Sequence, residues 1–226
     1  MKRYFLVMLL VLSGAPTAPA GSIIGTVRGV APPGGGESGG GGGYDSRRYK
    51  FAEKIDYDHL HDFVVYIDQP LAEITPSAPK LAAVTTQKDA SFEPHVLPVA
   101  VGTKVRWPND DDIYHNVFSM SDAKEFDLGY YKQEKTPELL FDKVGRVDVF
   151  CAIHTKMHCI ILVLPNPFFA TAEAKGRFVI PNVPAGTYKV RAWHERLPSQ
   201  TKDVTVPADG SVEVDFALGV SDLPKY

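Results

Sequence analysis

The chain cannot run far in any one regular conformation. Its 226 residues include 18 prolines and 19 glycines, and the apolar residues between them come in short runs. These are FVVYID (63–68), LAAVTTQ (81–87), HVLPVAV (95–101), GTKVRW (102–107), HNVFSM (115–120), PELLFD (137–142), GRVDVFC (145–151) and HCIILVL (158–164). Each is rich in β-branched or aromatic side chains and bounded by Pro, Gly, Asn or Asp, the pattern of strands joined by turns. Further on, Tyr188, Val190 and Ala192 alternate with Lys189 and Arg191, and Val212, Val214 and Phe216 with Glu213 and Asp215. Such alternation turns one face of a strand to the core and the other to water. The expected fold class is all-β, built from β-sandwiches.

Composition bounds the function. With 44% hydrophobic and 23% charged residues the chain can fill one large or two small cores, which excludes disorder throughout. The net charge is −3, and −5 without Lys2 and Arg3, so no basic field exists to bind nucleic acid. Two cysteines are too few to build a disulfide scaffold.

The first residues suggest where the rest works. Lys2 and Arg3 precede an apolar run from Phe5 to Leu12, and Ala18-Pro19-Ala20 makes a small-x-small site before Gly21. This is the plan of a secretory signal peptide over 1–20, and the run is too short to span a bilayer, which takes about 18 residues. The mature protein is expected to be periplasmic or secreted, with no membrane span. That compartment permits a Cys151–Cys159 disulfide, which must be weighed before either thiol is given other work.

Between the leader and the strands, Pro32 to Gly43 holds eight glycines in twelve residues and is too poor in side chains to pack. Its Gly36-Glu37-Ser38-Gly39-Gly40 matches G-x-S-x-G only formally, because a nucleophile elbow needs a strand before it and a helix after it. Tyr44 to Asp62 reads as a solvated loop or short helix, and its His59 and His61 as a surface cluster without a specific ligand.

The chemistry concentrates in Val149-Phe150-Cys151-Ala152-Ile153-His154-Thr155-Lys156-Met157-His158-Cys159. Cys151 continues the alternation of Val147 and Val149 and should point into the core, with His154 and Met157 in the turn that follows. The pattern is C-x2-H-x2-M, and His115-Asn116 opens a strand 36 residues earlier. Two imidazoles, a thiolate and a weak thioether are the ligand set of a blue-copper centre. Thiolate and thioether are soft and favour Cu(I), while imidazole suits Cu(II), so such a set holds both oxidation states. Three other readings use the same residues: a Cys151–Cys159 disulfide, a zinc site drawn from Cys151, His154, Cys159 and His115 or His158, and core packing without metal. His95 reads as a strand-edge or hydrogen-bonded residue, and Met120, five residues after His115 on a strand, should face the opposite side of its sheet.

His115-Asn116 with Cys151-x2-His154-x2-Met157 resembles the cupredoxin family, and the short ligand loop is nearest the amicyanin type. Gln87 to Val96, followed by Val101-Gly102-Thr103-Lys104-Val105 and Pro108-Asn109-Asp110, resembles plastocyanin-like secreted proteins, among them methylamine utilization proteins. The resemblance covers residues 81 to 164. It implies a Greek-key sandwich, one type-1 copper held by His115, Cys151, His154 and an axial Met157, and one-electron exchange through the edge of His154 with a redox protein donor and acceptor. It also implies that Asn116 ties the two ligand loops together. The loop departs from the amicyanin pattern in having Thr155-Lys156 without a proline, and His158 and Cys159 stand next to Met157 as competing donors. Lys156 would favour an acidic partner surface. No hydrolytic or phosphate-handling motif marks an enzyme, and the alternative to an electron carrier is a copper-delivery protein or a binding module without redox chemistry.

Gly176-Arg177-Phe178-Val179-Ile180-Pro181-Asn182-Val183-Pro184-Ala185-Gly186-Thr187-Tyr188-Lys189-Val190 resembles the carboxypeptidase regulatory-like, transthyretin-like sandwich. The expected organisation is a leader (1–20), N-terminal strands with the glycine-rich loop (21–80), a cupredoxin (81–165) and a regulatory-like sandwich (166–226). A fold of the latter type opens with strands like Ile24 to Val27 and Val64 to Ile67. Residues 22–70 therefore either form one sandwich with 166–220, the cupredoxin being inserted within it, or make a free extension.

Overall fold

The computed structural model describes residues 19–31, 55–71 and 82–219. Most of the expected leader over 1–20, the glycine-rich run and most of the following loop lie outside them. Eighteen strands and one 3-10 turn, Ala174–Gly176, account for the regular structure among the described residues. In chain order the strands are β1 (Ala20–Gly29), β2 (Val64–Ile67), β3 (Ala83–Val84), β4 (Thr86–Lys88), β5 (Ser91–Glu93), β6 (Val96–Ala100), β7 (Thr103–Arg106), β8 (His115–Ser121) and β9 (Lys124–Tyr131). They continue with β10 (Glu138–Phe141), β11 (Gly145–Phe150), β12 (His158–Leu164), β13 (Phe169–Thr171), β14 (Arg177–Pro184), β15 (Gly186–His194), β16 (Leu197–Val206), β17 (Ser211–Glu213) and β18 (Phe216–Leu218). The all-β expectation stands.

The strands sort into two sandwiches. In the first, β1 lies between β14 and β17 and also pairs with β18, and the opposed sheet runs β13-β2-β15-β16. Strands from both ends of the chain therefore share one core, in which Ile23, Val27, Val65 and Ile67 pack with Phe178, Ile180, Val190 and Phe216. The second sandwich sets β10-β7-β3 against β6-β12-β11-β8-β9, with the β4-β5 ribbon beside them. Its core holds Trp107, Val117, Phe141, Val147, Val149, Cys151, Met157 and Cys159. A third apolar cluster joins the two: Val64 and Tyr66, with Phe169 and Trp193, meet Val96, Ile160, Leu162 and Leu164. Strand β12 is buried on both faces for this reason, and so reads as a continuous apolar run, HCIILVL, rather than an alternation.

Among the strands not announced by apolar density, two are long. β9 (KEFDLGYY) and β16 (LPSQTKDVTV) are polar and glycine- or proline-bearing, yet each closes the edge of its sheet. An edge strand needs only one neighbour's hydrogen bonds and tolerates charge and proline. LAAVTTQ divides into β3 and β4 around Thr85.

Gly176, the first residue of the G-x-F-x-I motif, has a physical reason to be glycine. Its φ is +73°, and a Cβ there would run into the carbonyl oxygen of Val27. Gly176→Ala is expected to lower stability by about 1–3 kcal/mol, read as a reduced denaturation midpoint at unchanged m-value.

Candidate metal centre

His115 is the first residue of β8 and is fully buried. The loop before it is organised by Asn109, whose side-chain amide donates to the carbonyls of Ile113 (3.0 Å) and Tyr131 (3.1 Å) and whose carbonyl oxygen accepts the Asp111 N–H (2.9 Å). This brings the Asp111 carboxylate to 2.8 Å from His115 Nε2. The same carboxylate accepts the backbone N–H groups of Asp89 (2.7 Å) and Ala90 (3.0 Å), two consecutive residues with positive φ in the β4–β5 turn. Burial would raise the Asp111 carboxyl, but the N–H of Ala90, the His115 ring and the N–H of Asp89 together hold it below the ordinary carboxylate range. A carboxylate can only accept, so His115 carries its proton on Nε2 and presents the Nδ1 lone pair inward.

Cys151 follows β11 with Val147 and Val149 on the same buried side, as the alternation requires. The turn after it is closed by its own backbone: the Met157 N–H donates to the His154 carbonyl (2.9 Å) and the Cys151 N–H to the Met157 carbonyl (3.2 Å). Three donor atoms meet here. His115 Nδ1 and His154 Nδ1 are 3.1 Å apart, and Cys151 Sγ lies 3.9 Å from the first and 3.7 Å from the second. A point equidistant from all three lies about 2.1 Å from each, against metal–nitrogen and metal–thiolate bonds of about 2.0–2.3 Å. His115, Cys151 and His154 are thus a group that can hold a metal ion. Met157 is buried in the same core as Cys151, while His154 is half-buried and its neighbour Lys156 exposed.

The other candidates are dispersed by register. Both cysteines are free thiols: Cys159 stands opposite Val149 on β11, two residues out of line with Cys151. Burial, with the Asp148 charge nearby, pushes the Cys159 thiol well above its ordinary range, so it stays protonated and inert. His158 points the other way, stacked on Phe150 at 4.8 Å and bonded through Nε2 to Asp148 at 3.0 Å. Met120 is on the exposed side of β8, as expected. Asn116 departs from what the resemblance implied: its amide donates to Asp127 (2.6 Å) and braces β8 against β9 rather than reaching the 151–157 loop. His59 and His61 each pair with a nearby aspartate, Asp56 and Asp62, on the surface.

Asp111 is the residue that sequence reasoning missed. It stands four before His115, but within Asp110-Asp111-Asp112 nothing local says which carboxylate turns inward. Asp111→Ala removes the acceptor of the ring and of two strained turn N–H groups. It should weaken metal affinity 10- to 100-fold, measured by competition with a chelator.

Fold and site together define an all-β protein of two sandwiches, one of which buries a His–Cys–His group at the end of a strand. Residues 166–219 match the carboxypeptidase regulatory-like domain family. Solved structures similar to the chain include a purple cupredoxin from Nitrosopumilus maritimus, 24% identical over 36% of this chain and 98% of that one, with a TM-score of 0.33. An amicyanin variant in its Cu(I) form is 23% identical over 45% of this chain and 98% of that one, with a TM-score of 0.35. A copper-containing nitrite reductase from Thermus scotoductus SA-01 is 27% identical over 42% of this chain, with a TM-score of 0.36, and the match spans 25% of that enzyme. No curated protein matches the chain.

Proposed function

We propose that this is an exported electron carrier, not an enzyme, whose centre is one type-1 copper held by His115, Cys151 and His154 with Met157 as axial donor. The observation that carries the reading is the triangle of two Nδ1 atoms and one Sγ at separations suited to a single ion. Two nitrogens and one sulfur in a trigonal set, with a buried thioether in the same loop, match copper better than zinc, which prefers a fourth strong ligand. When bound, copper supplies a one-electron couple between Cu(I) and Cu(II). The chain's own part is to hold the donors still. Asp111 fixes the His115 tautomer, the Cys151–Met157 backbone bond closes the ligand loop, and the packed sandwich keeps water from the thiolate. His154 is the ligand nearest solvent, flanked in sequence by exposed Ile153 and Thr155 with exposed Lys156 next, and its edge is where a partner redox protein would meet the centre. Export rests on the leader over 1–20.

The test is copper loading followed by redox cycling. One equivalent of Cu(II) should give an intense visible thiolate band that ascorbate bleaches and ferricyanide restores without loss of metal. Transfer of Cu(I) to a moderate chelator on the same timescale would make the protein a delivery factor instead, and a colourless copper complex would overturn the type-1 assignment.

A further inference from the structure

A second group of metal-donor side chains lies at the seam between the sandwiches. Ring nitrogens of His95 and His158 and a carboxylate oxygen of Glu195 all fall within 4.8 Å of one another. His95 immediately precedes β6 and His158 opens β12, which pair in parallel, with the Ile160 N–H donating to the His95 carbonyl at 2.8 Å. Glu195 comes from the other sandwich, in the turn between β15 and β16. Each of the three is within two residues of the apolar seam, at Val96, Ile160 and Trp193. The side chains are neither sealed nor free: His95 is 34% exposed, and His158 and Glu195 are each 25%.

The hydrogen bonds decide where the lone pairs point. His95 Nδ1 is 3.2 Å from the His158 carbonyl oxygen, which can only accept, so Nδ1 carries the proton. His95 Nε2 then bears a lone pair in the neutral ring, yet it lies 3.1 Å from Glu195 Oε2, another acceptor. Two acceptors that close need a proton or a metal cation shared between them. His158 has the same arrangement in mirror: Asp148 holds the Nε2 proton at 3.0 Å and leaves Nδ1 as the free donor, with Phe150 stacked on the ring. Each imidazole thus has one nitrogen tied to an acceptor outside the group, leaving the other for a metal ion, which is how metal-ligating histidines are set.

We propose that His95, His158 and Glu195 form a second metal site, for a divalent cation of the zinc class, that clamps the two sandwiches together. Two imidazoles and one carboxylate suit Zn²⁺, whereas Ca²⁺ takes six to eight oxygens and Mg²⁺ a largely aqueous octahedron. Neighbouring donors on zinc are about 3.3 Å apart; the His95–Glu195 pair, at 3.1 Å, is already near that spacing, and the His158 nitrogen, within 4.8 Å of both, closes the group. Water completes the coordination on the exposed side. The proposal is independent of the identity of the metal at Cys151.

The experiment is zinc counting on the full chain after equilibrium dialysis, with the thermal midpoint read in parallel with and without Zn²⁺. The wild type should retain two equivalents, Cys151→Ser one, Glu195→Gln and His95→Gln one each, and the Cys151→Ser/Glu195→Gln double variant none. Zinc should raise the midpoint of Cys151→Ser and leave that of the double variant unchanged, because only a ligand bound to the folded state stabilises it. If Glu195→Gln and His95→Gln keep the wild-type zinc count, the proposal falls, and the pair is an imidazolium–carboxylate bridge alone. Near-UV circular dichroism of the two single variants guards against misfolding, and agreement between two substitutions on different sandwiches separates loss of a site from loss of a fold.

Discussion

Cys151→Ser is expected to abolish the visible absorption of the Cu(II)-loaded protein completely while leaving the apo-protein folded. The band requires a sulfur bonded to copper, and Cys151 carries the one thiol whose Sγ lies within 4 Å of both histidine donors. Serine is nearly isosteric and sits at the end of β11, so the cost to the apo fold is about 1–3 kcal/mol for a buried hydroxyl. Cys159→Ala is the matched control. It removes the other thiol, fully buried beside the same core, and should keep the band while costing about 1 kcal/mol or more for the lost volume. Loss of colour in Cys159→Ala with retention in Cys151→Ser would mean that the ligand has been misassigned.

The second large effect concerns the way the chain closes on itself. Ile23→Ala should destabilise the C-terminal sandwich by about 2–5 kcal/mol, although Ile23 stands 143 or more positions before any part of 166–219. Ile23 is fully buried in the core that also holds Phe178, Ile180, Val190 and Phe216, and its strand is hydrogen-bonded to β14 on one side and to β17 and β18 on the other. The chain has two tryptophans, Trp107 in the second sandwich and Trp193 on the first. In a Trp107→Phe background the fluorescence of Trp193 therefore reports the sandwich that contains Ile23. A transition that Ile23→Ala leaves in place would show that β1 is dispensable to that core.

The two halves of the first sandwich show how far local pattern reaches. G-x-F-x-I and the alternation in β15 were readable because each residue's burial follows from its neighbours at two-residue spacing. Whether β1 and β2 belong with them was not, since strand pairing is decided by which apolar faces find each other in three dimensions. The edge strands β9 and β16 escaped for the converse reason: a strand that buries little carries little pattern. The same division holds within the candidate centre. Cys151, His154 and Met157 lie on one short turn, so their spacing alone announces a common task. Their partner His115 needed only a β signal and a neighbouring turn to be placed with them.

By itself, then, the sequence determined the β character of the chain and the donor atoms that one loop can gather, because strand alternation and turn spacing are local properties. Tertiary structure alone chose Asp111 among three adjacent aspartates, set Cys159 opposite Val149 and out of line with Cys151, and brought His95, His158 and Glu195 to one point on the seam. Each of those outcomes depends on sheet register or on the docking of one sandwich against the other. Register and docking are fixed by the summed burial of distant side chains, which no window of sequence contains.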